Sequence, residues 1–259
     1  MAVAVLLFWA QHASATSVVL VEMTNSYIVA CDSLVVGTEG PYQTCKLRTS
    51  GTTVIVCSGL YRLKDDGFLL SDIAESAMKE KMFDQVVDTF IKRVIDRLGP
   101  AIATHQQRTG SRRYIKNPRV ITALVVSIVN SRPRCVRLAF ESSDLLIFGP
   151  TISCHREDVI APTNPSQVRV VPLGTKDVIA PVLKEGKVWI CSSGIMGSRE
   201  CQDQFAGVAT ALVAKEENAH PLAVGGKISS IVVDASGIRW LNVGECKNQS
   251  QKKPAATHN

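Results

Sequence analysis

A valine-rich apolar run, Val18-Val19-Leu20-Val21 behind Thr16-Ser17, sets the first limit on what this chain can become. From Thr16 to Met23 it reads as a buried strand, because valine loses χ1 freedom in a helix and packs well on a pleated, covered surface. What precedes it adds a chemical limit. Ala13-Ser14-Ala15 is a small-x-small tripeptide of the kind a signal peptidase cuts after, and a short apolar run, Val3 to Ala10, lies behind it. A cut after Ala15 would make Thr16 the first residue. That residue would carry a hydroxyl nucleophile and a free α-amine to serve as its base. The amine's ordinary pKa is about 7.7–8.0, so part of it is unprotonated near neutral pH. Two routes lead to the same terminus. One is export, which implies a secreted or periplasmic protein; the other is a self-removed propeptide in the cytoplasm.

The chain has 259 residues, of which 46% are hydrophobic and 20% charged, as suits a globular protein with one large domain. The expected division is a cleaved segment 1–15, a domain 16–244 and a disordered polar tail 245–259. No apolar run reaches the ~18 residues of a membrane span, so no membrane partner is expected. The formal charge is +6, with much of the excess between Arg108 and Arg119 and more in Lys247 to Lys253. These charges do not form the aromatic-interleaved basic stripe of a nucleic-acid surface, so nucleic acid is not an expected partner. The eight cysteines form no C-x-x-C pair, so neither zinc nor another metal is expected. In an exported chain an even count permits disulfides, with connectivity left open. The apolar flanks of Cys31 and Cys57 also fit buried thiols.

Further strands are expected at Tyr27–Ala30, Thr52–Cys57, Val120–Asn130, Arg134–Phe140, Val168–Val171, Val188–Cys191, Ile228–Val233 and Ile238–Leu241. Leu145–Phe148 would continue the sheet. Helical spacing appears at Ile73, Ala77, Met78 and Met82 with Ser71 as cap. It recurs from Val86 to Leu98 with Asp84 as cap and Gly99-Pro100 as terminator, leaving 101–118 as a loop. A last helix carries Phe205, Val208, Leu212 and Val213, with Ser198 as cap. Strand runs alternating with helices give an α+β fold of antiparallel sheets covered by helices.

Four pieces of this order resemble a proteasome β-subunit and, more broadly, the N-terminal nucleophile (Ntn) hydrolases. They are the strand opening at Thr16; Ile28-Val29-Ala30-Cys31-Asp32; Cys45-Lys46-Leu47 with Val54–Cys57 and Ser58-Gly59; and Val224-Gly225-Gly226-Lys227-Ile228 with Arg239-Trp240-Leu241. The resemblance implies a four-layer αββα sandwich of two antiparallel sheets flanked by helices. It implies Thr16 as nucleophile, Asp32 and Lys46 as a supporting charge pair, Gly59 as a backbone donor to an oxyanion hole, and Ser193 as a further site residue. No cofactor is implied, and assembly into a homo-oligomer is left open.

The implied activity is a threonine-type hydrolysis of a peptide or amide substrate by acyl transfer. Lys46 would keep the Thr16 amine unprotonated through its charge, so its replacement should remove turnover and spare the fold. Two other readings stay open: an amidase acting on a small molecule, and a non-catalytic module. The family's later aspartate, three residues before a serine, has no counterpart between Lys215 and Gly225.

Overall fold

In the computed structural model the described residues are 17–37, 40–63, 66–110, 119–145, 149–164, 167–174, 177–184, 191 and 197–247. In chain order the elements begin with strands β1 (Ser17–Met23), β2 (Ser26–Cys31), β3 (Leu34–Gly37), β4 (Gly40–Gln43), β5 (Leu47–Ser50), β6 (Thr53–Gly59), β7 (Arg62–Leu63) and β8 (Phe68–Leu69). Helices α1 (Leu70–Ala77) and α2 (Phe83–Thr109) follow, then β9 (Arg119–Val129), β10 (Arg132–Leu145), β11 (Gly149–Val159) and β12 (Arg169–Gly174). Helices α3 (Ile179–Lys184) and α4 (Arg199–Ala219) precede the closing hairpin of β13 (Ser229–Asp234) and β14 (Gly237–Asn242).

Two five-stranded antiparallel sheets dominate, in the orders β12-β1-β2-β13-β14 and β11-β10-β9-β6-β5; β3-β4 and β7-β8 are separate two-stranded sheets. This corrects the expectation of an α+β, four-layer αββα Ntn sandwich. Among the described residues the chain is mostly antiparallel β-sheet, 43% strand against 32% helix, with four helices and several sheets rather than two. The physical reason lies in segments 34–43 and 62–69, which turn back on themselves and pair locally instead of joining a large sheet.

Side-chain alternation along β1 explains its composition. Val18 and Leu20 face Val54, Val56, Leu124 and Val126 of the other large sheet, while Val19 and Val21 face Phe205, Ala209 and Val213 of α4. Both faces are covered, so the strand is apolar almost throughout. Each such side chain contributes roughly 1.5–3 kcal/mol on burial. The outer face of β6, β9 and β10 packs beneath α1 and α2 through Ile55, Val125, Phe140, Phe90 and Val94. The β9–β10 turn is two residues, Asn130 and Ser131, at φ 50° and 60°, a left-handed pair that matches the twist of a tight hairpin.

Several boundaries differ from the sequence reading. Helix α2 does not stop at Gly99-Pro100 but continues to Thr109 and ends on Gly110 at φ 66°. Gly99 is there for close approach: a Cβ would stand 3.3 Å from the Pro150 carbonyl oxygen of β11. Beyond Pro100, the buried Ala101, Ile102 and His105 hold the helix to the core. Neither Ser71 nor Asp84 is a cap, since α1 and α2 begin after Leu69 and Met82; Ser198 does cap α4, accepting from the Cys201 amide at 3.2 Å. Strand β11 was not expected, because it is an edge strand whose residues are mostly polar and exposed. Pro172 sits within β12, which is also an edge strand, where a missing N–H is tolerated. The expected polar tail begins with an anchor: Cys246 is buried and disulfide-bonded to Cys45, 201 residues earlier. Residues 1–16, 146–148, 185–190 and 248–259 lie outside the described residues. So do the cleaved segment, the end of the Leu145–Phe148 strand and most of Val188–Cys191.

Pro100 is exposed and withholds one helical N–H. Pro100→Ala should therefore stabilise the fold by about 1–2 kcal/mol, the restored hydrogen bond outweighing the extra freedom of the unfolded chain. Urea unfolding followed by circular dichroism reads this as a higher midpoint at unchanged m-value.

Candidate active site

The site is built where three chain segments meet at the start of β1. Strand β2 runs antiparallel to β1 and ends at Cys31, so Asp32 falls beside Ser17. The Ser17 amide donates to Asp32 Oδ1 at 2.9 Å, and the Asp32 amide donates to the Ser17 carbonyl at 3.3 Å. Asp32 Oδ2 accepts from the amides of Leu34 and Gly225, each at 3.2 Å. Lys46, on the approach to β5, donates from Nζ to both carboxylate oxygens, at 3.2 and 3.1 Å, and to the Leu34 carbonyl. Both side chains are wholly excluded from solvent, at 0% exposure.

Burial governs the electrostatics. It pushes the Asp32 carboxyl above its ordinary range and the Lys46 ammonium below its own, because a dry surrounding disfavours either charge; each partner's charge opposes the other's shift. The backbone amides of Gly225 and Ser17 further hold Asp32 ionised. Gly226 is required by this crossing. Gly226 has φ +81°, and a Cβ there would stand 2.5 Å from Ser33 Oγ.

Gly59 ends β6 at φ +98°, where a Cβ would lie 2.2 Å from the Val120 carbonyl oxygen. Glycine is thus demanded by the approach of β9, a reason the sequence did not offer. Gly59 and Ser58 line a cavity of about 400 Å³ between the two large sheets. Its opposite wall is the end of β12, where Gly174 is the strand partner of Ser17. The cavity therefore opens beside the residue to which Thr16 is joined. Thr16 and Ser193 themselves lie outside the described residues.

The structure brings together Asp32, Lys46 and the first residue of β1, and sets Gly59 in the adjoining cavity. Sequence reasoning missed the Gly225 amide as a partner of Asp32. It also missed Arg119, Arg137 and His155 in the cavity wall, because these arrive from three different strands. Among the described residues no group of His, Cys, Asp and Glu is placed to hold a metal ion. No protein-family model matches the chain, and no curated protein matches it.

Full burial changes what a lysine substitution does. Removing one member of a buried pair strands the other's charge, at a cost of about 3–5 kcal/mol. Lys46→Met should therefore destabilise the fold by about that amount rather than spare it, as the sequence reading expected. The double variant Asp32→Asn with Lys46→Met should recover a large part of the loss. Chemical denaturation of the two variants beside wild type measures both changes.

Proposed function

We propose that this chain hydrolyses peptide or amide bonds by acyl transfer through Thr16 as an N-terminal nucleophile. One observation carries the reading. The Ser17 amide nitrogen, the atom bonded to residue 16, and Lys46 Nζ share the same carboxylate oxygen of Asp32, at 2.9 and 3.2 Å. A buried cation is thereby held next to the place where an α-amine would stand after cleavage, and a nearby like charge disfavours that amine's protonation. The Thr16 hydroxyl attacks the carbonyl carbon while the amine takes its proton. The amine then gives the proton to the leaving nitrogen, and water hydrolyses the Thr16 ester. The cavity lined by Gly59 lies within reach of the same strand end and is of a size to receive a substrate group. Cys45–Cys246, and the Cys191 and Cys201 sulfurs placed together, support an oxidising compartment, in keeping with export.

A second reading is a non-catalytic module resembling the proteasome subunits that lack activity. It is favoured by the number of backbone groups the ion pair already serves: Ser17, Leu34 and Gly225. In that case Asp32 and Lys46 only pin loops together.

Intact-mass measurement of protein from its native host should give a terminus at Thr16. A β-lactone should then label the N-terminal peptide and leave Thr16→Ala unlabelled. The cysteines compete poorly. Cys45 is in a disulfide, Cys31 and Cys135 are buried with thiols pushed up by burial, and Cys57 is pushed up to about 12. Cys154, half-buried and pushed up to about 11, is the competitor to map. Labelling confined to Cys154, or none on a chain that starts at Thr16, establishes the non-catalytic reading instead.

A further inference from the structure

We propose that the cavity beside the start of β1 binds a carboxylate, so that the favoured substrates carry an acidic group next to the cleaved amide; this rests on the hydrolase reading above. Charge is distributed unevenly along the space between the two large sheets. The described lining of the 400 Å³ cavity includes Arg119, Arg137 and His155 and no acidic residue, with Thr122 and Ser58 as hydroxyl donors. The acids lie beyond Arg137, in a neighbouring cavity of about 280 Å³ lined by Glu22, Glu157 and Asp158 together with Arg169. Arg137 lines both spaces and so divides a basic half, next to Ser17 and Gly174, from a mixed half further along β12.

The arginines are held without being used up. Arg119 contacts Glu141 through Nη2 at 3.4 Å, and Arg137 contacts Glu157 through Nη2. A guanidinium has five N–H donors in a planar fork, which suits a carboxylate. The glutamates brace each side chain from outside the cavity, and the remaining donors are available to an incoming anion. Surface pairs of this kind contribute roughly 0–1 kcal/mol, so reorienting them toward a ligand costs little. An amide substrate with a neutral group here would offer the remaining guanidinium donors no anionic acceptor.

The test uses the mature protein and two pairs of probes. The first is blocked tripeptidyl aminocoumarins ending in Glu or in Gln; the second is short peptides whose leaving amino acid has a free or an amidated carboxyl. Preference within the first pair assigns the carboxylate to a side chain, and within the second to a chain terminus. In one pair kcat/KM should favour the acid by about tenfold, the worth of a hydrogen bond to a charged group. That ratio should fall to within about twofold in Arg137→Gln, and fall in wild type at high salt, which screens charges open to solvent. Arg119→Gln, whose side chain is 61% exposed, should lower the ratio without risk to folding. Hydrolysis with no preference in either pair overturns the carboxylate site and leaves the hydrolase reading standing. If nothing is hydrolysed, anisotropy with a fluorescein-labelled Glu peptide and its Gln counterpart decides separately. Tighter, arginine-dependent binding of the Glu peptide keeps the carboxylate site while the hydrolase reading falls. Equal binding overturns the carboxylate site.

Discussion

The ion pair between Asp32 and Lys46 is the contact on which the surrounding structure depends. Taking two charges out of water costs several kcal/mol each, and mutual attraction repays this only when the geometry is good and the remaining hydrogen-bonding groups are filled. Here they are filled by backbone from the start of β1, the bend after β2 and the Gly225 crossing. The net energy of such a pair is small, but its geometric demand is large. Moving any of those segments takes a backbone hydrogen bond from a buried charge. The pair therefore ties three backbone segments to one point at the end of an otherwise apolar core, a directional constraint that valines and leucines do not supply.

That division of labour explains what was legible in the sequence. Strands covered on both faces, such as β1 and β6, announce themselves as unbroken β-branched runs, and the β9–β10 hairpin is marked by its apolar arms. Asp32 and Lys46 stood out only through the resemblance in order and spacing, because nothing local distinguishes a buried lysine from a surface one. One edge strand was illegible for a physical reason. Strand β11 buries little beyond Ile152, so it carries no apolar pattern, and its polar residues read as loop. Gly99-Pro100 reads as a helix end, yet the glycine serves a close contact with β11 and the helix continues on its buried residues. The architecture inferred from the resemblance did not hold either. Local pairing of residues 34–43 and 62–69 and a preponderance of strand were not visible in the four matched pieces.

The cavity wall illustrates a further limit. Ser58, Arg119, Arg137, His155 and Gly174 come from five strands spread over more than a hundred residues, so no window of sequence contains them. They converge because β6, β9, β10 and β11 lie side by side in one sheet and the end of β12 in the other sheet faces them across the inter-sheet space. Charge in that space is a property of topology, whereas the ion pair is set by the ends of β2 and the approach to β5.

The bond between Cys45 and Cys246 imposes an order in time. The two cysteines are 201 residues apart, so at about 5–20 residues per second of synthesis Cys45 waits roughly 10–40 s for its partner to emerge. Cys31 is already made when that interval begins, and Cys57 and Cys135 emerge within it. In the folded chain all three are buried, and a buried thiol kept protonated is a poor nucleophile, so the finished core leaves them little chance to exchange with the Cys45–Cys246 bond. The segment carrying Lys46 is thus fastened by the far end of the molecule, and only once nearly the whole chain has been made.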